Sequence, residues 1–232
     1  MKKQIKLKVD KDKSIDIFVD KKSKNPKIVE MIKKGAEVAF NYFDNVKKIN
    51  FSIELIYSRA EFDEKVGFKT ENWFIANSFK KKFIIFSPDR IEDQTSHKKN
   101  EFVPIISHET SHILLNKINM DFCAWLSEGI AQNIAKQERK GEIKYENQKY
   151  FLKDSLFKNS DCQKFISRQG YNISYKLVKF LIENYSKKQV MDLLKIKYYD
   201  YENSLEKDFC KILKTSKKNL LGRFKKILKS TR

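Results

Sequence analysis

Hydrophobic and polar residues alternate in two short segments near the start of the chain, IKLKV (5–9) and IDIFV (15–19). A period of two is typical of a strand that buries one face. The polar residues DKDKS between the two segments predict a turn, so the strands form a hairpin. A helical period follows over residues 26–46 and opens with Pro26, which suits the first turn of a helix because an N–H there has no partner within the helix.

Three further apolar runs predict strands: INFSIELIYS (49–58), NWFIA (72–76) and KFIIFS (82–87), with the polar NSFKK as the turn between the last two. From about residue 100 almost every segment has helical spacing. The predicted helices cover residues 102–117, 122–140, 174–186, 204–214 and 219–229. Strands and one helix first, and only helices afterwards, favour an α+β fold with a mixed N-terminal β-sheet followed by a helical C-terminal lobe.

This order predicts a first region over residues 1–48, with the hairpin and its helix, and a second region over 49–232. The second region would hold the rest of the sheet, the helix 102–117 and a helical lobe over 121–232. We expect the two regions to form one compact unit, since 232 residues with 41% hydrophobic side chains can bury a sizeable core. The apolar side of the last helix is interpreted as core; the alternative is a helix that lies on a membrane surface.

The chain is strongly basic, with a formal net charge of +19. Such a charge suggests a nucleic acid, an anionic membrane or an acidic protein as partner. The basic residues are mostly lysines and occur along the whole length, whereas nucleic-acid grooves use clustered arginines and interleaved aromatic residues. We therefore favour a generally basic exterior over a dedicated nucleic-acid site.

Three widely spaced cysteines, Cys123, Cys162 and Cys210, make neither a disulfide framework nor a CxxC metal site. A reducing compartment fits this pattern. The N-terminal segment has no apolar core of a signal peptide, and no run reaches the length of a membrane span. We expect a cytoplasmic protein without a transmembrane segment, and a monomer.

The segment HETSH, residues 108–112, carries the strongest chemical signal. Residues four apart lie on one face of a helix, so His108 and His112 can both bind one ion. Imidazole nitrogen is a good ligand for Zn²⁺, and Glu109 would lie beside the open coordination position, where it can take a proton from water. The alternative is a pair of exposed helix histidines beside an acid, with no metal.

A catalytic zinc needs a third protein ligand. No histidine follows His112, so a ligand further along the chain is a carboxylate or a cysteine. Asp121 and Cys123 lie in the short connection after the helix. Glu128 lies on the next helix, where an antiparallel return would bring it over the two histidines.

The segments ISHETSHILLN (106–116) and AWLSEGIAQNIA (124–135) resemble the gluzincin-type zinc metallopeptidases, specifically the bacterial peptidase-MA-like domain, with HExxH followed by W-[LI]-x-E-G-x-A. The resemblance extends over about residues 50–230 and implies a zincin-like fold whose active site lies in a cleft between the sheet region and the helical lobe. It implies that Glu128 is the third zinc ligand. It also implies that Trp125 fills space between helices and that Gly129 lets the two active-site helices approach closely. Thr110 departs from the family, which usually has an aliphatic residue there.

These observations predict a zinc-dependent peptidase with one Zn²⁺ per chain and Glu109 as general base. Tyr171 and Tyr175 lie where the family often has tyrosines, and either could stabilise the oxyanion; packing within a helix is the alternative. Residues 72–77 are the candidate sheet edge for an extended peptide substrate, and a buried strand is the alternative. Two other functions stay open: a nucleic-acid-associated protein with a structural metal, and a zincin-like binding module without turnover.

Overall fold

The computed structural model describes residues 2–20, 25–119, 123–138, 141–156, 162–196 and 201–229. The chain divides into two compact units, Met1–Lys117 and Ile118–Arg232. Within the described residues, a five-stranded open mixed sheet occurs together with eleven α-helices. The prediction of a mixed α and β protein is confirmed. The zincin-like fold stays a prediction.

The first unit contains the whole described sheet. Its strands are β1 (Lys2–Lys8), β2 (Lys13–Asp20), β3 (Ile49–Ile56), β4 (Ala76–Phe79) and β5 (Lys82–Phe86). They lie in the order β1-β2-β3-β5-β4, with antiparallel pairs at both ends and two parallel pairs, β2 with β3 and β3 with β5, in the middle. The predicted hairpin β1–β2 is present. The pairing of β2 with β3 crosses the predicted division at residues 48/49, and that division stays a prediction.

One row of neighbouring residues runs across the entire sheet: Ile5, Ile17, Ile53, Phe83 and Ser78. Ile17, Ile53 and Phe83 are fully buried. Because side chains alternate along a strand, this row defines one face of the sheet, and residues such as Glu54 lie on the other. The row is apolar until it reaches the edge strand β4, where it ends in a hydroxyl.

Helices cover both faces of this sheet within the first unit. They are α1 (Ile28–Tyr42), α2 (Arg59–Val66), α3 (Ile91–Gln94) and α4 (Phe102–Ile118), which crosses into the second unit by one residue. Helix α1 packs on the face with the row, where Phe40 contacts Phe51 at a centroid distance of 6.3 Å. Helix α2 packs on the opposite face, where Phe62 stacks on Phe86 at 4.8 Å. The sheet core therefore lies between α1 and α2.

The second unit is helical in the residues described. Its helices are α5 (Ala124–Ile134), α6 (Tyr145–Tyr150), α7 (Cys162–Ser167), α8 (Gly170–Asn184), α9 (Lys187–Leu193), α10 (Tyr201–Ile212) and α11 (Lys217–Lys229). A π-helical turn, Phe151–Ser155, continues α6. Trp125 is almost fully buried in this unit and its ring contacts Phe209 and Phe224, with centroid distances of 6.0 and 6.2 Å. The indole is the centre of an aromatic core.

The second predicted hairpin is present, but its first strand is displaced. The sequence predicts the strand over NWFIA (72–76) and the turn over NSFKK (77–81), whereas β4 covers Ala76–Phe79 and the turn is confined to residues 80 and 81. Pairing accounts for the shift: Ser78 and Phe79 pair with Phe83 and Lys82, so the polar segment gains backbone hydrogen bonds from β5. The polarity of the side chains alone does not predict this position of β4.

No helix of the described residues is both long enough and apolar enough to cross a membrane.

Candidate metal centre

Helix α4 carries the HETSH segment. The sequence of α4 explains how the helix begins and how it packs in the first unit. A 3₁₀ turn, Lys99–Glu101, leads into the helix, and Pro104 lies in its first turn. Ile105, Ile106 and Ile113 are buried. Helix α1 approaches closely at Gly35: a Cβ atom there would lie 2.7 Å from both Ile106 Cβ and Val103 O. The absence of a side chain at Gly35 is therefore a condition for the packing of α1 against α4.

The two histidines of HETSH lie on one face of α4, as the spacing predicts. The Nε2 atoms of His108 and His112 are 3.0 Å apart, and the ring centroids are 4.7 Å apart. Both side chains are partly exposed. One ion about 2.0–2.1 Å from each nitrogen, the usual Zn–N distance, can contact both rings at this separation.

Glu109 extends from the same helix and accepts a hydrogen bond at Oε2 from the hydroxyl of Ser78. Ser78 lies on the edge strand β4, at the end of the apolar row across the sheet. The hydroxyl therefore connects the sheet edge to the carboxylate that the sequence predicts as general base. No pattern in the sequence indicated this residue, because it falls in a polar segment that reads as a turn.

Glu128 lies on α5, in the helical unit, and its side chain is partly buried. Two residues of α5, Trp125 and Gly129, make the contacts that hold this helix in place. Trp125 donates a hydrogen bond from Nε1 to Leu156 O at 2.8 Å. At Gly129 an added Cβ would lie closer than 3.0 Å to Ser174 O and to Val178 Cγ2, both on α8. The close approach that the glycine permits is thus between α5 and α8, whereas the family resemblance had placed it between the two helices of the site.

His108, His112 and Glu128 each offer one potential ligand atom, and the three atoms all lie within 4.8 Å of one another. Two imidazole nitrogens and one carboxylate oxygen form a donor set that catalytic zinc sites use. The residues present therefore fit a zinc ion in both chemistry and proximity.

The other candidates for the third ligand are placed differently. Cys123 is buried, with 2% of its surface exposed, and precedes α5 at its N-cap position. Asp121 lies outside the described residues. The remaining histidine, His97, contacts the Glu101 carboxylate through Nδ1 at 2.5 Å and the carbonyl oxygen of Trp73 through Nε2 at 2.9 Å. Thr110, the departure from the family pattern, is fully buried.

The two tyrosines proposed for oxyanion stabilisation make packing contacts in the helical unit. Tyr171 lies edge to face against Phe165, with ring centroids 5.3 Å apart. Tyr175 is buried, and this burial raises the pKa of its phenol above the usual value. A phenol with a raised pKa keeps its proton at neutral pH and can donate it in a hydrogen bond.

The chain was compared with protein-family models, with curated proteins and with solved structures, and none of them matches it. The function is therefore inferred from the residues and their geometry.

Proposed function

We propose that this chain is a zinc-dependent metallopeptidase of the gluzincin type, with His108, His112 and Glu128 as the ligands of one zinc ion. The observation that carries the proposal is the proximity of the three ligand atoms, all within 4.8 Å of one another. Three protein ligands leave a fourth coordination position for water or substrate, as catalytic zinc sites require.

Zinc, when bound, lowers the pKa of a water molecule toward about 7 and polarises a peptide carbonyl. Glu109 directly follows a proposed ligand and is not itself among the ligands. Its carboxylate takes the proton from the attacking water and then gives it to the leaving amine nitrogen. The reaction is amide hydrolysis without a covalent intermediate on the protein.

The edge strand β4 is the proposed binding place for an extended peptide substrate. Ala76 and Asn77, the last residues of the segment first singled out as an edge, lie in this strand, and β4 pairs only with β5 among the described strands. An extended peptide can add to such an edge through backbone hydrogen bonds. The hydrogen bond from Ser78 to Glu109 supports this choice, because it places the edge strand next to the proposed general base.

Elemental mass spectrometry of the purified protein, followed by cleavage of a random peptide library, tests the proposal. We expect about one zinc per chain and cleavage that a chelator abolishes. Absence of zinc, with none taken up on addition, would refute the metal centre. Bound zinc without cleavage of any peptide would instead favour the zincin-like binding module.

A further inference from the structure

The positive charge of the chain is concentrated at its C-terminal end. Residues 209–232 contain nine Lys and Arg residues and no Asp or Glu. This tenth of the chain therefore carries +9 of the formal net charge of +19. Basic residues occur along the whole sequence, but elsewhere acidic residues offset part of their charge, and here there are none.

Helix α11 presents much of this charge on one side. Its apolar residues Leu220, Phe224 and Leu228 are buried, with at most 1% of their surface exposed. On the exposed side the helix carries four lysines, Lys218, Lys225, Lys226 and Lys229, which we call the basic face. With 3.6 residues per turn, all four fall within an arc of about 100°.

The centre of the basic face is open. Gly222 lies between these lysines on the same side of the helix, and a Cβ atom added there would meet nothing within 4 Å. Two other basic residues of α11 are engaged elsewhere: Lys217 forms an ion pair with Glu206, and Arg223 donates a hydrogen bond to the Tyr185 hydroxyl at 3.3 Å. In the described part of the chain, the four lysines of the basic face form no ion pair. Their charges are directed to solvent.

We propose that the basic face of α11 binds the surface of an anionic membrane through lipid headgroups. A cluster of four or more lysines on one helix is the pattern that anionic lipid surfaces attract, and Lys ammonium groups interact with headgroup phosphates and carboxylates as point charges. The apolar side of α11 is used for packing within the protein. The binding is therefore electrostatic and reversible, without insertion of the helix.

The composition of the basic face disfavours a nucleic acid. Nucleic-acid surfaces use arginine forks and aromatic side chains that stack on bases. The basic face contains four lysines and no arginine, and the only aromatic residue of α11, Phe224, is fully buried. Binding to a flat anionic lipid surface requires only the positive charge of the basic face.

Cosedimentation with vesicles of phosphatidylserine and phosphatidylcholine, at low and at physiological salt, tests this inference. The variant changes Lys218, Lys225, Lys226 and Lys229 to Gln. The matched control changes four other exposed lysines, Lys3, Lys6, Lys34 and Lys47, to Gln, so both proteins lose the same net charge. The full chain is used throughout, and thermal melts show whether the variants fold equally well.

We expect the wild type and the control variant to bind these vesicles and not to bind vesicles of phosphatidylcholine alone. Each lysine near an anionic surface contributes about fivefold to binding, so the basic-face variant should bind at least about 100-fold more weakly. Three results would overturn the proposal: no binding by the wild type, equal loss in both variants, or tighter binding of a DNA duplex than of vesicles at equal phosphate and salt. The result is independent of zinc and of peptide cleavage.

Discussion

The hydroxyl of Ser78 donates a hydrogen bond to the carboxylate of Glu109. Ser78 ends the apolar row that crosses the sheet, and Glu109 follows the first histidine of HETSH on α4. The bond holds the carboxylate toward the edge strand β4 and limits its rotation. A fixed orientation matters for a general base, because proton transfer requires the carboxylate within hydrogen-bond reach of the water.

Replacing Ser78 with Ala is therefore expected to reduce catalysis more than folding. We expect kcat for a cleaved library peptide to fall roughly tenfold, while the zinc content stays at that of the wild type. The unfolding free energy should fall by about 1 kcal/mol, because a partly exposed hydrogen bond is lost. Ser78→Thr keeps the hydroxyl and serves as the control. Equal kcat values for the Ala variant and the wild type would show that Ser78 does not position Glu109.

Substitutions of Glu109 and of His112 are expected to affect turnover and metal binding differently. Glu109→Gln should retain about one zinc per chain and lose about 10³-fold in kcat, since the proposed general base is removed and the proposed ligands remain. His112→Ala should lose both zinc and turnover, because one of the three proposed ligands is missing. Elemental mass spectrometry and peptide cleavage measure the two properties on the same samples. Full activity of Glu109→Gln would show that the proposed mechanism is wrong.

The oxyanion role of Tyr171 or Tyr175 makes a separate prediction. If one phenol donates a hydrogen bond to the developing oxyanion, its change to Phe should lower kcat about 100-fold and leave zinc binding intact. Both rings make packing contacts that Phe preserves, so stability should change little. Wild-type rates in both Phe variants would assign the two tyrosines to packing alone.

Two glycines are expected to be intolerant of a methyl group. A Cβ at Gly35 would clash with Ile106 on α4, and one at Gly129 would clash with the backbone of Ser174 on α8. Gly35→Ala and Gly129→Ala should each lower the unfolding free energy by about 1–3 kcal/mol, the usual cost of overpacking. Gly222 is the matched control. Its Cβ would meet nothing within 4 Å, so Gly222→Ala should stabilise the protein by up to about 1 kcal/mol in urea unfolding.

Much of the fold follows from periodicity in the sequence. The alternation in residues 15–19 predicts β2, and the spacing around HETSH predicts the helix α4. Both signals are strong because each element buries one continuous apolar face, and such burial determines the period. The strand β4 lacks this signal: it has four residues, only Ala76 is buried, and its partner β5 defines it.

The candidate site was predictable where one short segment determines the geometry. His108 and His112 face the same direction because four residues make about one helical turn. Ser78 was not predictable, since its position opposite Glu109 depends on the pairing of β4 with β5 and on the packing of α4 in the first unit. Gly35 was missed for the same reason, because its importance arises from Ile106, 71 positions along the chain.

Glu54 provides a prediction about acid stability that is independent of the metal centre. Its side chain lies on the face of the sheet that α2 covers, and the residue is only 7% exposed. Burial alone would raise its pKa, but three lysines contact it: Lys2 at 2.7 Å, Lys82 at 2.5 Å and Lys65 at 3.0 Å. Their hydrogen bonds lower the pKa of Glu54 from the usual 4.5 to about 2.

A pKa that is lower in the folded state means that the ionised carboxylate stabilises the fold. This stabilisation is complete above pH 4.5 and decreases as the pH falls from there toward about 2; because solvent screens the partly exposed lysines, it amounts to at most roughly 3 kcal/mol. Glu54→Gln should therefore unfold at lower urea concentration than the wild type at neutral pH, and the difference should shrink as the pH falls below 4.5. Glu71→Gln removes an exposed carboxylate and is the control. If the difference between Glu54→Gln and the wild type did not change with pH, the lysines would not be stabilising the charge of Glu54.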